Sequence, residues 1–161
     1  MIEQLAALGA KAAAVLKERG QTIAVADGAT GGLISTGLLT VPGATGFYLG
    51  GGVIYSLKGR DILLGLDEAE LKGMKSVTEP YALLQARAIR DRFGADWGIA
   101  ESGSAGPTHP FGVPTGKSSI AVIGPGVSIS TTIETGSDER VGNMCAFALA
   151  ALTLLNKALA A

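Results

Sequence analysis

The sequence predicts an α/β domain built on a mixed sheet, and three features point that way. The short apolar run from Thr22 to Ala26 has the character of a strand buried in a parallel sheet, and a glycine-rich turn leads it into a helix. Late in the chain, Val127, Ile129, Thr131 and Ile133 alternate with Ser128, Ser130, Thr132 and Glu134, the period-two pattern of a half-exposed antiparallel strand. Between these runs, segments of helical spacing alternate with further strand-like runs.

Taken in order, Leu5, Leu8, Ala12, Val15 and Leu16 recur at helical spacing while Lys11, Lys17, Glu18 and Arg19 fall elsewhere. The chain therefore opens on an amphipathic helix, with Gly20 as its C-terminal cap. The strand at Thr22 to Ala26 turns at Asp27-Gly28-Ala29-Thr30-Gly31-Gly32 into a second helix that runs through Leu39. After a Pro42-Gly43 turn, Phe47 to Ser56 reads as a strand in which Gly50-Gly51-Gly52 marks a bulge or close packing. Lys58 to Gly65 and Asp67 to Gly73 read as short helices, and Glu79 to Phe93 as a longer one ended by Gly94. Trp97 to Ser102 is the third strand. Gly103 to Gly116 holds four glycines, three prolines and the only histidine, the composition of a functional loop. Ser118 to Gly124 and Val127 to Thr135 flank Pro125-Gly126 as a hairpin. The last helix, from about Asp138 to Leu159, is expected to carry acidic residues in its first turn, where the macrodipole favours them.

With 161 residues the chain has room for one domain, spanning 1–161. At 47% hydrophobic and 17% charged residues, with a net charge of −1, it is neither a disordered tail nor a binder of nucleic acid through a basic face. The near-neutral charge gives no field to steer a polyanion, so the expected partner is a small molecule or another protein. A homo-oligomer is expected because a small chain carries long apolar helices. Glycine is the outlier, at 24 residues against an average usage of roughly 7%, so tight turns and close backbone approach must matter. Cys145, the single cysteine, sits among Met144, Ala146 and Phe147 and reads as a small hydrophobe rather than a nucleophile. The start of the chain lacks the basic and apolar regions of a signal peptide, which makes the expected location cytoplasmic. Met144 to Leu155 is apolar for about a dozen residues, short of the roughly 20 of a membrane span, and reads as a buried helix.

Several motifs admit two readings. The N–H groups of the Asp27 to Gly32 turn lie where a strand meets a helix N-terminus and could hold a phosphate or carboxylate. Equally, Asp27 and Thr30 could be turn and cap residues, with the glycines only letting the helix pack closely. Ligands of open α/β sheets bind outside the carboxyl ends of the strands, and two glycine-rich loops would open on that same edge. Tyr55 closes a strand beside Lys58 and Arg60, where a phenol could touch a ligand or polarise a proton transfer, or anchor the sheet edge with its hydroxyl in water. Glu101 and Ser102 end the third strand, and no base is identifiable beside that serine. Gly112 to Ser118 ends like a phosphate-binding P-loop, but Phe111 stands where glycine is required and a strand follows Lys117, which excludes a nucleoside triphosphatase. His109 has no second histidine to complete a metal site, so neither metal nor cofactor is expected.

Together, Asp27-Gly28-Ala29-Thr30-Gly31-Gly32, Val41-Pro42-Gly43-Ala44, Gly52-Val53-Ile54-Tyr55-Ser56, Val77-Thr78-Glu79, Ser102-Gly103-Ser104-Ala105-Gly106-Pro107 and Thr135-Gly136 resemble the CinA C-terminal domain family. The resemblance covers nearly the whole chain. It implies a three-layer α/β/α sandwich with a mixed, mainly parallel five-stranded sheet. Members of that family look like nicotinamide mononucleotide deamidases, which hydrolyse the carboxamide to the acid plus ammonia. The module is often fused to a molybdopterin-binding-like domain and is expected to stand alone here.

This chain departs from the family's pattern at the chemistry. The family's first loop reads Glu-Ser-Cys-Thr-Gly-Gly and its serine is taken as the nucleophile; here that position is Gly28. The family lysine thought to activate the serine falls on Arg60, which stays protonated and makes a poor base. Tyr55 is the one retained catalytic position. The family's Gly-Gly after Gly-Pro is replaced by Thr108-His109-Pro110-Phe111, and the arginine expected near the start of the last helix falls on Gly142. The resemblance thus implies a reshaped pocket formed by Asp27, Gly28, Thr30, Gly31, Gly32, Tyr55, Arg60, Ser102, Gly103, Ala105 and Gly106 around a small ligand, a pyridine nucleotide or related amide. Serine-dependent deamidation is expected to be absent or very weak. The alternatives are an amidohydrolase using water activated by Asp27, Glu101 or His109, and a non-catalytic sensor or protein-docking module. Changing Gly28→Ser and Arg60→Lys together is expected to restore some activity if the rest of the pocket is intact.

Overall fold

The computed structural model describes residues 1–108 and 112–161. His109, Pro110 and Phe111, and with them the role considered for His109, lie outside the described residues. The chain begins with α1 (Ile2–Arg19), whose inward face carries Leu5, Ala12, Ala13 and Leu16. Gly20 at φ 63° ends the helix, turning the N–H groups of Gly20 and Gln21 back onto the carbonyls of Lys17 and Leu16.

β1 (Ile23–Asp27) is buried along its whole length, as its apolar run predicts, and is followed by α2 (Leu33–Leu39). β2 (Tyr48–Val53) pairs with β1 in parallel, with a register shift that leaves Leu49 as the extra residue of a bulge at the head of the glycine run. α3 (Leu57–Leu64) and α4 (Glu68–Leu71) are short, and α5 (Glu79–Phe93) has the predicted boundaries. β3 (Trp97–Ser104) pairs in parallel with β1, and β4 (Lys117–Gly124) and β5 (Val127–Glu134) complete the sheet as an antiparallel hairpin.

The strand order is β2-β1-β3-β4-β5, a mixed sheet in which every strand but β4 points the same way. α1, α2 and α6 (Arg140–Ala160) cover one face, packing on Ile23, Val25, Trp97, Ile99, Ile120 and Val122. α5 covers the other, over Ala24, Ala26, Ala100, Ala121 and Ile123. The side chains under α5 are small because that helix lies close to the sheet. A Cβ on Gly98 would overlap the Ala86 carbonyl oxygen.

Two expectations need correction. β3 continues two residues beyond Ser102, so Gly103 and Ser104 are ladder residues opposite Ser118 and Lys117 rather than loop. α6 begins at Arg140 and has no acidic residue in its first turn; Asp138 lies outside the helix, where its carboxylate accepts a hydrogen bond from Thr115 Oγ1. α6 is also longer than its most apolar stretch, and its 21 residues suffice in length and composition to cross a bilayer. Phe147, Ala148, Ala151, Leu152 and Leu155 are instead buried within the fold. The polar face of β5 is covered in part, since Ser130 and Thr132 donate to the two carboxylate oxygens of Glu79 at 2.7 and 3.0 Å.

Part of the glycine excess lies in helix packing. α1 and α2 cross at Gly9 and Gly37, where a Cβ on Gly9 would overlap the Gly37 carbonyl and one on Gly37 would come within 2.6 Å of Leu152 Cδ1. Gly9→Ala should therefore lower stability by about 1–3 kcal/mol, read as a lower midpoint in urea. An unchanged midpoint would contradict so close a crossing.

Candidate functional site

β1 and β3 are neighbours running in the same direction, so the segments after them open on one edge of the sheet. A pocket of about 340 Å³ lies there. Gly28 and Ala29 line it after β1, and Ile54, Tyr55 and Ser56 after β2. Ser102, Gly103 and Ser104 contribute from β3 and Ala105 from just after it, and Tyr81 and Gln85 from α5. Ser76 and Val77, ahead of α5, and Arg140, the first residue of α6, complete much of the rim.

The turn after β1 is held from behind by two carboxyl groups. Asp27 Oδ1 accepts from Thr30 Oγ1 at 2.6 Å and Ile34 N at 2.9 Å, while Oδ2 accepts from Ser35 N at 3.2 Å and Ser35 Oγ at 2.9 Å. That side chain caps the start of α2 and does not line the pocket. Glu101, fully buried on β3, accepts from Gly28 N at 3.1 Å and Thr30 N at 3.0 Å through Oε1. Its Oε2 accepts from Ser118 Oγ at 2.7 Å. The N–H groups of Gly28 and Thr30 thus already have a carboxyl acceptor inside the protein.

Glu101 also explains two glycines in the pocket wall. A Cβ on Gly28 would overlap the Glu101 carbonyl oxygen and lie 3.1 Å from Oε1; one on Gly103 would lie 2.5 Å from Oε2. Burial pushes the Glu101 pKa above the ordinary carboxylate value, opposed by the hydrogen bonds from Thr30 and Ser118 and reinforced by the nearby charge of Asp27.

Of the residues singled out from sequence, Gly28, Tyr55, Ser102, Gly103 and Ala105 line the pocket. Thr30, Gly31 and Gly32, later in the same turn, do not line it, and Gly106 contributes through its carbonyl, which accepts from Arg140 Nη1 at 2.6 Å. Arg60 is on α3 outside the pocket, where its guanidinium reaches Asp61 Oδ1 at 3.1 Å and Tyr81 Oη at 3.4 Å. Tyr55 is 70% exposed, and its hydroxyl accepts from Arg140 Nη2 at 3.0 Å rather than standing free in water.

Arg140 and Ser104 escaped the sequence reading. The arginine anticipated at Gly142 is absent, but a guanidinium reaches the pocket from one half-turn earlier in α6. Ser104 is two residues beyond Ser102 on the same face of β3, so period-two alternation would have found it had the strand been carried to its full length. Val77 adds strain to the wall. It has φ 55°, a region a β-branched residue seldom adopts, and its N–H donates to Ser102 Oγ at 3.0 Å.

The raised pKa of Glu101 has a defined effect on stability. The folded chain binds that proton more tightly than the unfolded chain, so the group's contribution is complete below the ordinary carboxylate pKa. It falls away as pH rises through the folded value. Glu101→Gln keeps an acceptor for Gly28 and Thr30 but does not ionise. Urea midpoints measured upward from pH 4.5 should fall for the wild type relative to this variant; parallel profiles would contradict the assignment.

Comparison with known proteins places this geometry in a family. The family model described as CinA C-terminal domain matches residues 5–159. A CinA-like protein of Gloeobacter violaceus is 36% identical over 131 residues, 81% of this chain and 31% of that protein. A CinA-like protein of Synechococcus is 44% identical over 93 residues, 58% of this chain and 22% of that protein. The chain therefore spans less than a third of the length of these curated relatives. Among solved structures, a competence-damaged protein (CinA) superfamily member from Klebsiella pneumoniae superposes with a TM-score of 0.88 at 25% identity, covering 97% of this chain and 98% of that one. Its counterpart from Enterobacter cloacae gives 0.88 at 28% identity, covering 96% and 92%. The match to the family model over nearly the whole chain, with the three-layer fold shared by these structures, means that the chain belongs to the CinA C-terminal domain family.

Proposed function

We propose that this chain binds a pyridine nucleotide or a related amide in the pocket beside Gly28 and that serine-dependent hydrolysis of the amide is absent or very weak. The observation that carries the proposal is the wall at Gly28. The family resemblance puts the nucleophilic serine at this position, and here there is neither a side chain nor space for one in front of Glu101. Arg60, at the position of the activating lysine, carries a guanidinium occupied by Asp61 and Tyr81. A ligand with an anionic group is supported by Arg140, the one charged side chain among the described lining residues. A guanidinium recognises phosphate through paired donors, and two of Arg140's nitrogens are already oriented by Gly106 and Tyr55.

The reading in which Asp27 or Glu101 activates water finds little support. Neither side chain lines the pocket, and the oxygens of both accept hydrogen bonds from the turn, α2 or Ser118. A protein-docking role has one observation in its favour, the exposed Leu57, Ile62 and Leu63 on α3. Association into a homo-oligomer through such apolar helix surface belongs to the same reading.

Incubated with nicotinamide mononucleotide, the purified chain should release no ammonia above background, while its melting temperature should rise. A ligand at a hundred times its Kd stabilises by about 2.7 kcal/mol. Arg140→Ala should weaken that stabilisation. Ammonia release at steady turnover would overturn the catalytic half of the proposal, and an unchanged melting temperature with pyridine nucleotides would favour docking. The pair Gly28→Ser and Arg60→Lys, expected from sequence to restore activity, should instead destabilise the chain by about 1–3 kcal/mol because the new Cβ meets the Glu101 backbone.

A further inference from the structure

We propose that the Ser104 hydroxyl is the specificity contact of this pocket, the group that receives the neutral polar head of the ligand; this rests on the pocket being the small-molecule site read above. Ser104 is 2% exposed and lines the cavity, yet its Oγ has no hydrogen-bond partner among the described residues. Native proteins leave few buried hydroxyls in that condition, because the bonds lost with water go unreplaced. Three serines nearby have partners for their hydroxyls. Ser102 Oγ accepts from Val77 N, Ser56 Oγ accepts from Gly59 N, and Ser118 Oγ donates to Glu101.

Placement supports a role in recognition. Alternation along β3 puts Ser102 and Ser104 on the face toward α5, where the buried Gln85 lines the same cavity. A serine exchanges its hydroxyl among staggered χ1 wells without moving the backbone, so Oγ can turn toward a bound group. A hydroxyl both donates and accepts, which matches a carboxamide. A carboxylate head is less suited. Arg140, the one charged side chain among the described lining residues, is already tied at the rim to Gly106 and Tyr55.

The test is calorimetric titration of the wild type, Ser104→Ala and Ser104→Cys with nicotinamide mononucleotide and with ribose 5-phosphate, which lacks the head group. Both variants should bind the mononucleotide roughly three- to tenfold more weakly and ribose 5-phosphate as the wild type does. The melting temperature of ligand-free Ser104→Ala should be unchanged or higher, since no protein partner loses a bond. Equal affinity of variants and wild type for the mononucleotide would overturn the inference and leave the proposed function standing. So would equal losses for both ligands, or a destabilised ligand-free variant. A wild type that binds neither compound would remove the proposed function and this inference with it.

Discussion

A single buried carboxyl group holds two pocket-lining segments of this protein together. Glu101 stands on β3, yet its oxygens bond the backbone of the turn after β1 and the side chain of Ser118 on β4. Removing a charge-capable group from water is costly unless its lone pairs are met, and here three donors meet them. The arrangement draws the turn in against β3, and the pocket wall is then necessarily bare: Gly28 and Gly103 lie where any side chain would collide with Glu101. The same interaction that orders the site excludes a side chain from its wall.

The other parts of the pocket rest on that fixed back wall. Asp27 ties the start of α2 to the end of β1, and Ser35, one of its donors, also accepts from Tyr48 on β2, so the turn is braced from the edge strand as well. In front, Ser102 holds the strained Val77, while Arg140 bridges the Gly106 carbonyl and the Tyr55 hydroxyl. Strain at Val77 and a Ser104 hydroxyl with no partner among the described residues meet in one cavity.

Much of the fold was legible because its signals are local. The apolar run of β1, the alternation of β5, the spacing of α1 and the glycine caps each need only a few residues of context. The site was legible in outline, since two glycine loops after parallel neighbours must share an edge. Its chemistry was not. That Asp27 faces α2, that Glu101 reaches across to Gly28, and that Arg60 turns toward Tyr81 depend on side-chain directions across 7 to 73 residues of chain. Arg140 is not legible because the resemblance places an arginine at Gly142 instead, and Ser104 because the alternation of β3 runs on past Ser102. The glycines divide the same way: those at helix ends were predictable from sequence, whereas Gly9, Gly28, Gly98 and Gly103 are explained only by what lies opposite them.

We propose that the pocket holds an amide-bearing nucleotide without cleaving it, in front of a wall that Glu101 keeps closed. The most direct test is a crystal structure of the chain soaked with nicotinamide mononucleotide. The account predicts the ligand between Gly28, Ser104 and Arg140 with its carboxamide intact, and Glu101 still bonded to Gly28 and Thr30. Electron density for the hydrolysed acid, for a covalent adduct, or for a ligand bound elsewhere with this pocket empty would contradict it.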